Sequence, residues 1–267
     1  MAERFEKKAG TNAKFSRAFK KCRYIDVNWA NVKALGDLDD YQNKFDIALM
    51  EEVRACELGI DEDSPVVYRA TADIEATILR NVHLSEKIKN VEDLAQSNLS
   101  KGQTIQHIWE ERFQPLAMYA KEVVIVDRYA FGSIDEKPNG LFRLLKLFDS
   151  KPSVSSVTIY SQCDVPQPIK TKLEKKFSKY RNIKILKVYM PKSDTFRDHG
   201  HDRHIRFDDF RACTIGIGLP EALREYDLKR DTQFSYKYGK QIFGLKKVEH
   251  RLRDATSQPF QFILNKP

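Results

Sequence analysis

From Glu122 onward the chain alternates short apolar runs with segments of helical spacing, and this alternation constrains its fold more than any other feature. "EVVIVD" reads as a buried strand, "GLFRLLKLF" as a helix, "SSVTIYS" as a strand, "QPIKTKLEKKFSKYR" as a helix and "NIKILKVYM" as a strand. A β-α-β-α-β series calls for parallel strand pairs, right-handed crossovers, helices on the sheet faces and ligand sites at the carboxyl ends of the strands. "DRHIRF" and "ACTIGIG" add two strands joined by a turn at "DDFR", followed by a helix near Pro220 in "LPEALREY". The expected fold class is α/β, a mixed sheet with flanking helices over residues 116–267.

The preceding 115 residues have a different texture, so two domains are expected. The first ten to fifteen residues are charged, contain Gly10 and have almost nothing to bury, which predicts a mobile extreme N-terminus. In "DYQNKFDIALMEEVRACEL" the spacing of Phe45, Ile47, Ala48, Val53 and Leu58 predicts an amphipathic helix with Gly59 as its C-cap. "SPVVYRATADIEATILRNV" opens on a β-like Val66-Val67-Tyr68 and continues with the helical spacing of Ile74, Ile78 and Leu79. A further helix is expected around "TIQHIWEERFQPLAMYA", interrupted or restarted near Pro115. Residues 1–115 therefore read as a mainly helical region.

Charge narrows the partners. The 267 residues carry 46 Lys and Arg against 38 Asp and Glu, a net charge of +8, which favours nucleic acid, anionic phospholipid headgroups or acidic proteins. Cys22, Cys56, Cys163 and Cys213 have neither C-x-x-C spacing nor a compact framework, so reduced thiols in a cytoplasmic protein are expected. No run approaches the 18 or so apolar residues of a membrane span, so no transmembrane segment is expected and any membrane contact should be peripheral.

The most charged stretch is "RDHGHDRHIRFDDF". In it, His201-x-Arg203-x-x-x-x-Asp208 has the spacing of the phospholipase D signature H-x-K-x-x-x-x-D, with arginine for lysine. The order "VVIVDRYAFG", "GLFRLLKLF", "VTIYS", the lysine-rich helix, "HDRHIRFDDF" and "IGIGLPEAL" resembles, over roughly residues 116–267, the phospholipase D-like C-terminal domain of MIT-domain-containing proteins. That family carries an H-D-R-x-I-R-F segment and is associated with phosphoinositide binding. The N-terminal part does not resemble the three-helix MIT module. Members of the family replace the final acid of the signature, whereas this chain keeps Asp208.

The resemblance implies phosphate-ester chemistry: His201 as a nucleophile, Arg203 neutralising phosphoryl oxygens and Asp208 orienting the imidazole, with no metal and no cofactor. The residue types suit these roles, because a nucleophilic imidazole must be neutral and held in one tautomer, and cationic donors stabilise the transferring phosphoryl group. Strand periodicity places His201, Arg203, Ile205 and Phe207 on one face, while Asp208 joins them only if the chain turns after Phe207. A single motif per chain means that catalysis would need a homodimer. Asp127, Arg128 and Tyr129, at a strand carboxyl end, are candidates for the same rim, and Asp127 alternatively caps the strand end.

Competing readings stay open. His204 and Arg206 are candidate ligand-binding residues, or with Asp202 they form a solvated strand face with cross-strand ion pairs. His199, His201 and His204 could ligate a metal, although no family spacing supports it. Gly216 and Gly218 either cradle phosphate or allow close backbone packing, the latter being favoured. The lysine-rich helix either tracks an anionic backbone or is simply solvated, and its Phe177 and Tyr180 are expected to pack rather than stack on bases. Three functions follow: a metal-independent, nuclease-like phosphodiesterase, which is preferred; a non-catalytic phosphoinositide or phosphate-binding module; and an assembly adaptor.

Overall fold

The computed structural model of the chain describes residues 28–41, 47–59, 68–69, 74–78, 81, 84–87, 97–132, 134–135, 139–163, 166–199, 203–209, 211–216, 227–238 and 240–264. The expectations for the extreme N-terminus, Val66, Val67 and the helix near Pro220 lie outside the described residues. The chain divides into two compact units, Met1–Gln96 and Ser97–Pro267.

In the first unit the stretch read as one helix is three elements. A 3-10 segment covers Leu35–Tyr41, a strand β1 covers Ile47–Met50 and a short helix α1 covers Glu52–Glu57. Gly59, at φ +76, follows the C-cap Leu58, as its position predicted. The helix expected through Ile74 and Ile78 is a strand, β3 (Glu75–Ile78), paired parallel to β1 and antiparallel to β2 (Tyr68–Arg69). All four β3 residues are buried, so no alternation marks it as a strand. Buried Glu75 is held by the Ser85 hydroxyl and the Lys87 N–H.

The second unit begins earlier than its sequence texture suggested. Leu99 exchanges both backbone hydrogen bonds with Thr232, and Leu228 N–H donates to Gln103 O. Thr104 caps helix α2 (Ile105–Ile108) by accepting from His107 N–H. A π turn, Trp109–Phe113, leads into α3 (Gln114–Ala117). Pro115 lacks the N–H that an α-helical ladder would use, and the widened turn absorbs the break. Ile105, Ile108, Trp109 and Phe113 are all core residues of this unit.

Its centre is a seven-stranded mixed sheet with two helices against each face. In chain order the elements are β4 (Glu122–Val126), α4 (Gly140–Asp149), β5 (Ser156–Tyr160), α5 (Pro166–Phe177), β6 (Ile185–Tyr189), α6 (Ser193–His199), β7 (His204–Phe207), β8 (Arg211–Ile215), β9 (Phe234–Tyr238), α7 (Lys240–Asp254) and β10 (Phe260–Ile263). The strands lie in the order β10-β6-β5-β4-β7-β8-β9. β4, β5 and β6 run parallel, while β10, β7, β8 and β9 extend the sheet by antiparallel pairing. This is the α/β architecture that the alternation called for.

Period-two geometry sorts the side chains between layers. Val123, Ile125, Val157, Ile159, Leu186, Val188, Ile205 and Phe207 join a core with Leu141, Leu144, Leu145 and Phe148 of α4 and Ile169, Leu173 and Phe177 of α5. Phe177 and Tyr180 pack edge to face at 6.2 Å within it, as expected. On the opposite face Val124, Val126 and Tyr160 meet Phe196 of α6 and Leu252 of α7, and Ala212 meets Ile242 and Leu245. Among the described residues, no helix is long and apolar enough to cross a membrane.

Candidate functional site

The carboxyl end of β4 lies beside the amino end of β7, because Val126 pairs with His204 in antiparallel register. Asp127 directly follows β4 and Arg203 directly precedes β7, so the topology brings together two residues 76 positions apart. Asp127 is fully buried, and one of its carboxylate oxygens accepts the Tyr129 N–H at 2.9 Å. That turn sends the Arg128 and Tyr129 side chains out at the rim. The same oxygen lies 3.6 Å from Arg203 Nε, a buried ion pair that aims the guanidinium along the rim. Arg203 Nη1 donates to Gly216 O at 2.9 Å.

Arg128 is anchored from β5. Its Nε donates to Gln162 Oε1 at 2.7 Å, and its carbonyl accepts from the Ser161 hydroxyl and the Gln162 N–H. Between the two arginines stands Tyr129, 51 % exposed, with the Arg128 and Arg203 guanidinium carbons 5.5 and 5.7 Å from its ring centroid. Each guanidinium is thus fixed through one edge. Among the described residues, Arg203 Nη2 and both terminal nitrogens of Arg128 have no hydrogen-bond partner. Two oriented cationic forks beside one aromatic ring, at the strand carboxyl ends, are suited to oxyanions.

Gly216 serves packing here. A Cβ built on it would meet Thr232 Oγ1 at 2.9 Å and Gln233 N at 3.3 Å, so β9 approaches too closely for any side chain. Gly218 lies outside the described residues, as do His201 and Asp202.

Asp208 does not belong to this rim, which corrects the role expected for it. It sits at the far end of β7, where Phe207 pairs with Val123, five residues from Arg203 at about 3.3 Å of strand rise each. Its backbone is left-handed, φ 50, a conformation that aspartate tolerates. Its carboxylate accepts the backbone N–H groups of Lys121 and Glu122 at 3.0 and 2.9 Å, and its own N–H donates to Glu122 O. Asp208 fixes the β7–β8 turn against the start of β4. Replacing it with alanine should cost about 1–3 kcal/mol in denaturant-measured stability, the scale of lost bonds to a charged acceptor. Ligand affinity at the opposite rim should stay unchanged.

His204 and Arg206 are equally removed from the ligand face, and the solvated face expected for them is also corrected. Both are buried, pointing at α7. Arg206 Nε and Nη2 donate to the two oxygens of Glu249 at 2.8 and 2.7 Å, and His204 Nε2 lies 3.3 Å from Glu249 Oε1. Arg206 also donates to Asp208 O and pairs with Asp209, which Lys246 of α7 joins. Burial works to raise the Glu249 carboxyl, but the bonds from His204 and Arg206 outweigh it and hold the group below the usual carboxylate range. Burial likewise works against the Arg206 charge, and its Glu249 partner more than restores it. Glu249 was missed by sequence reasoning, although one signal existed: it occupies an apolar-stripe position between Leu245 and Leu252 of α7.

Among the described residues no group of three or more His, Cys, Asp and Glu side chains is placed to hold a metal ion. Gln162, missed earlier, could have been found by applying the strand-end rule to β5 as well as β4. No protein-family model matches this chain, and neither does any curated protein.

Proposed function

We propose that the second unit is a phospholipase D-like module that binds phosphate esters at the carboxyl rim of β4 and β5 through Arg128 and Arg203. The observation that carries this reading is the pair of guanidiniums, each anchored by one edge and both within 6 Å of the Tyr129 ring centroid. Fixing the forks in advance reduces the ordering cost of binding, and their planar donors match phosphoryl oxygens. The net charge of +8 favours the approach of such a ligand.

Binding is preferred to catalysis because Asp208, the acid expected to orient His201, is bonded to backbone at the other end of β7. Binding also requires only one copy of the motif, so the homodimer demanded by catalysis is not needed. Phosphodiesterase activity remains a second reading because His201 stands two residues before Arg203.

Calorimetry with glycerol 3-phosphate in EDTA tests the module. Arg203→Ala should weaken binding at least tenfold, since each charge-assisted bond contributes about 1.5–3 kcal/mol. Arg203→Lys should fall between, keeping the charge but losing the fork. Unchanged affinity in both Arg203→Ala and Arg128→Ala would remove the site. EDTA-resistant cleavage of an oligonucleotide or phospholipid that is lost in His201→Ala would move the protein to the phosphodiesterases.

A further inference from the structure

The phosphate reading leaves Tyr129 unexplained. A tyrosine at a solvent-facing rim needs no ring to hold Arg128, which Gln162 already fixes, or Arg203, which Asp127 and Gly216 fix. Yet the ring is 51 % exposed, and the Asp127 bond to its own N–H sets its backbone. An apolar surface held rigid in water is poised to be covered by something flat.

Resting on the phosphate reading, we propose that Tyr129 is a stacking platform for a nucleobase, so that the ligand of this rim is a nucleoside phosphate. Geometry supports the pairing. Stacked or tilted aromatic rings sit with centroids about 4.5–7 Å apart, the same range as the 5.5 and 5.7 Å from the Tyr129 centroid to the two guanidinium carbons. A base on the exposed part of the ring therefore places its own phosphate within reach of the terminal nitrogens of Arg128 and Arg203. Stacking adds about 1–3 kcal/mol per base and tolerates any base, since every base has a π face. An inositol or glycerol headgroup has no such face and would gain nothing from the ring. Arg128, Tyr129 and Arg203 thus form one recognition unit, in which the arginines take the phosphate and the tyrosine selects for the base.

The test compares AMP, a single-stranded trinucleotide and glycerol 3-phosphate by calorimetry on the full chain, in wild type, Tyr129→Trp and Tyr129→Leu. Wild type should bind AMP about 5- to 150-fold more tightly than glycerol 3-phosphate, the stacking contribution expressed as a ratio. That ratio should persist in Tyr129→Trp and collapse towards one in Tyr129→Leu. The fluorescence of the introduced tryptophan should be quenched by AMP and not by glycerol 3-phosphate. Equal affinity for trinucleotide and AMP identifies a free nucleotide as the ligand, and a tighter trinucleotide identifies a single strand. If wild type binds both phosphates equally, the base platform is wrong and the phosphate site stands. If neither phosphate binds, both readings fail together.

Discussion

A chain beginning at Leu116 is expected to lose cooperative unfolding, whereas one beginning at Ser97 is expected to keep it. The shorter chain lacks Leu99, Ile105, Ile108, Trp109 and Phe113, every one of them at most 5 % exposed in the core of the second unit. Each contributes about 1.5–3 kcal/mol of burial, so their summed loss is comparable with the whole 5–15 kcal/mol stability of a typical domain. The loss also breaks specific packing. Trp109 meets the Phe148 ring edge to face at 5.6 Å, Phe113 meets Phe234 at 6.0 Å, and Arg112 lies over Phe234 at 5.2 Å. Thr232 and Leu228 would lose their backbone partners as well. Thermal unfolding by circular dichroism together with hydrophobic-dye binding distinguishes the two chains. Equal, sharp transitions in both would show that residues 97–115 are dispensable.

The second large effect is expected at Glu249. Glu249→Gln should destabilise the protein by about 3–5 kcal/mol, because it leaves the Arg206 guanidinium buried without its bidentate carboxylate. The remaining contacts of Arg206 with Asp208 O and Asp209 place the expected value at the lower end. Arg206→Met combined with Glu249→Leu should cost less than either single change, since an apolar pair asks for no compensation. A pH dependence follows. The folded-state pKa of Glu249 lies below its unfolded value, so the stability it contributes is complete above the ordinary carboxylate range, near 4.3, and is lost as pH falls through the lower folded value. Wild type should therefore lose stability on acidification below about pH 4.3 more steeply than Glu249→Gln. Parallel slopes in urea titrations at successive pH values would refute the assignment.

The parts of the fold that were legible were those whose local pattern and tertiary role agree. The strands from Glu122 to Ile215 are unbroken apolar runs bounded by turns, and the helices between them carry a clear stripe. Ile47-Ala48-Leu49-Met50 is different: four successive apolar residues suit a buried helix or a buried strand, and only the pairing of β1 with β3 decides. The candidate site divides in the same way. Asp127, Arg128 and Tyr129 were found because a strand end is visible in sequence. The fate of Asp208 was not, because motif spacing records distance along the chain, whereas β7 is straight and holds the two ends of the motif apart. His204 and Arg206 looked solvated because their cover, α7, lies some forty residues downstream.

The position of β4 between β5 and β7 also sets an order of assembly. β4 meets β5 about 34 residues further along the chain, but its other neighbour, β7, lies about 80 residues away. Contacts that close long loops form late, so the parallel trio β4-β5-β6 should consolidate before β7 docks with β8 and β9. Arg128 and Tyr129 travel with the early half, and Arg203 arrives with the late one. The rim is therefore complete only when the final strand seats, so a chain still growing or partly unfolded presents one guanidinium where the finished protein presents two.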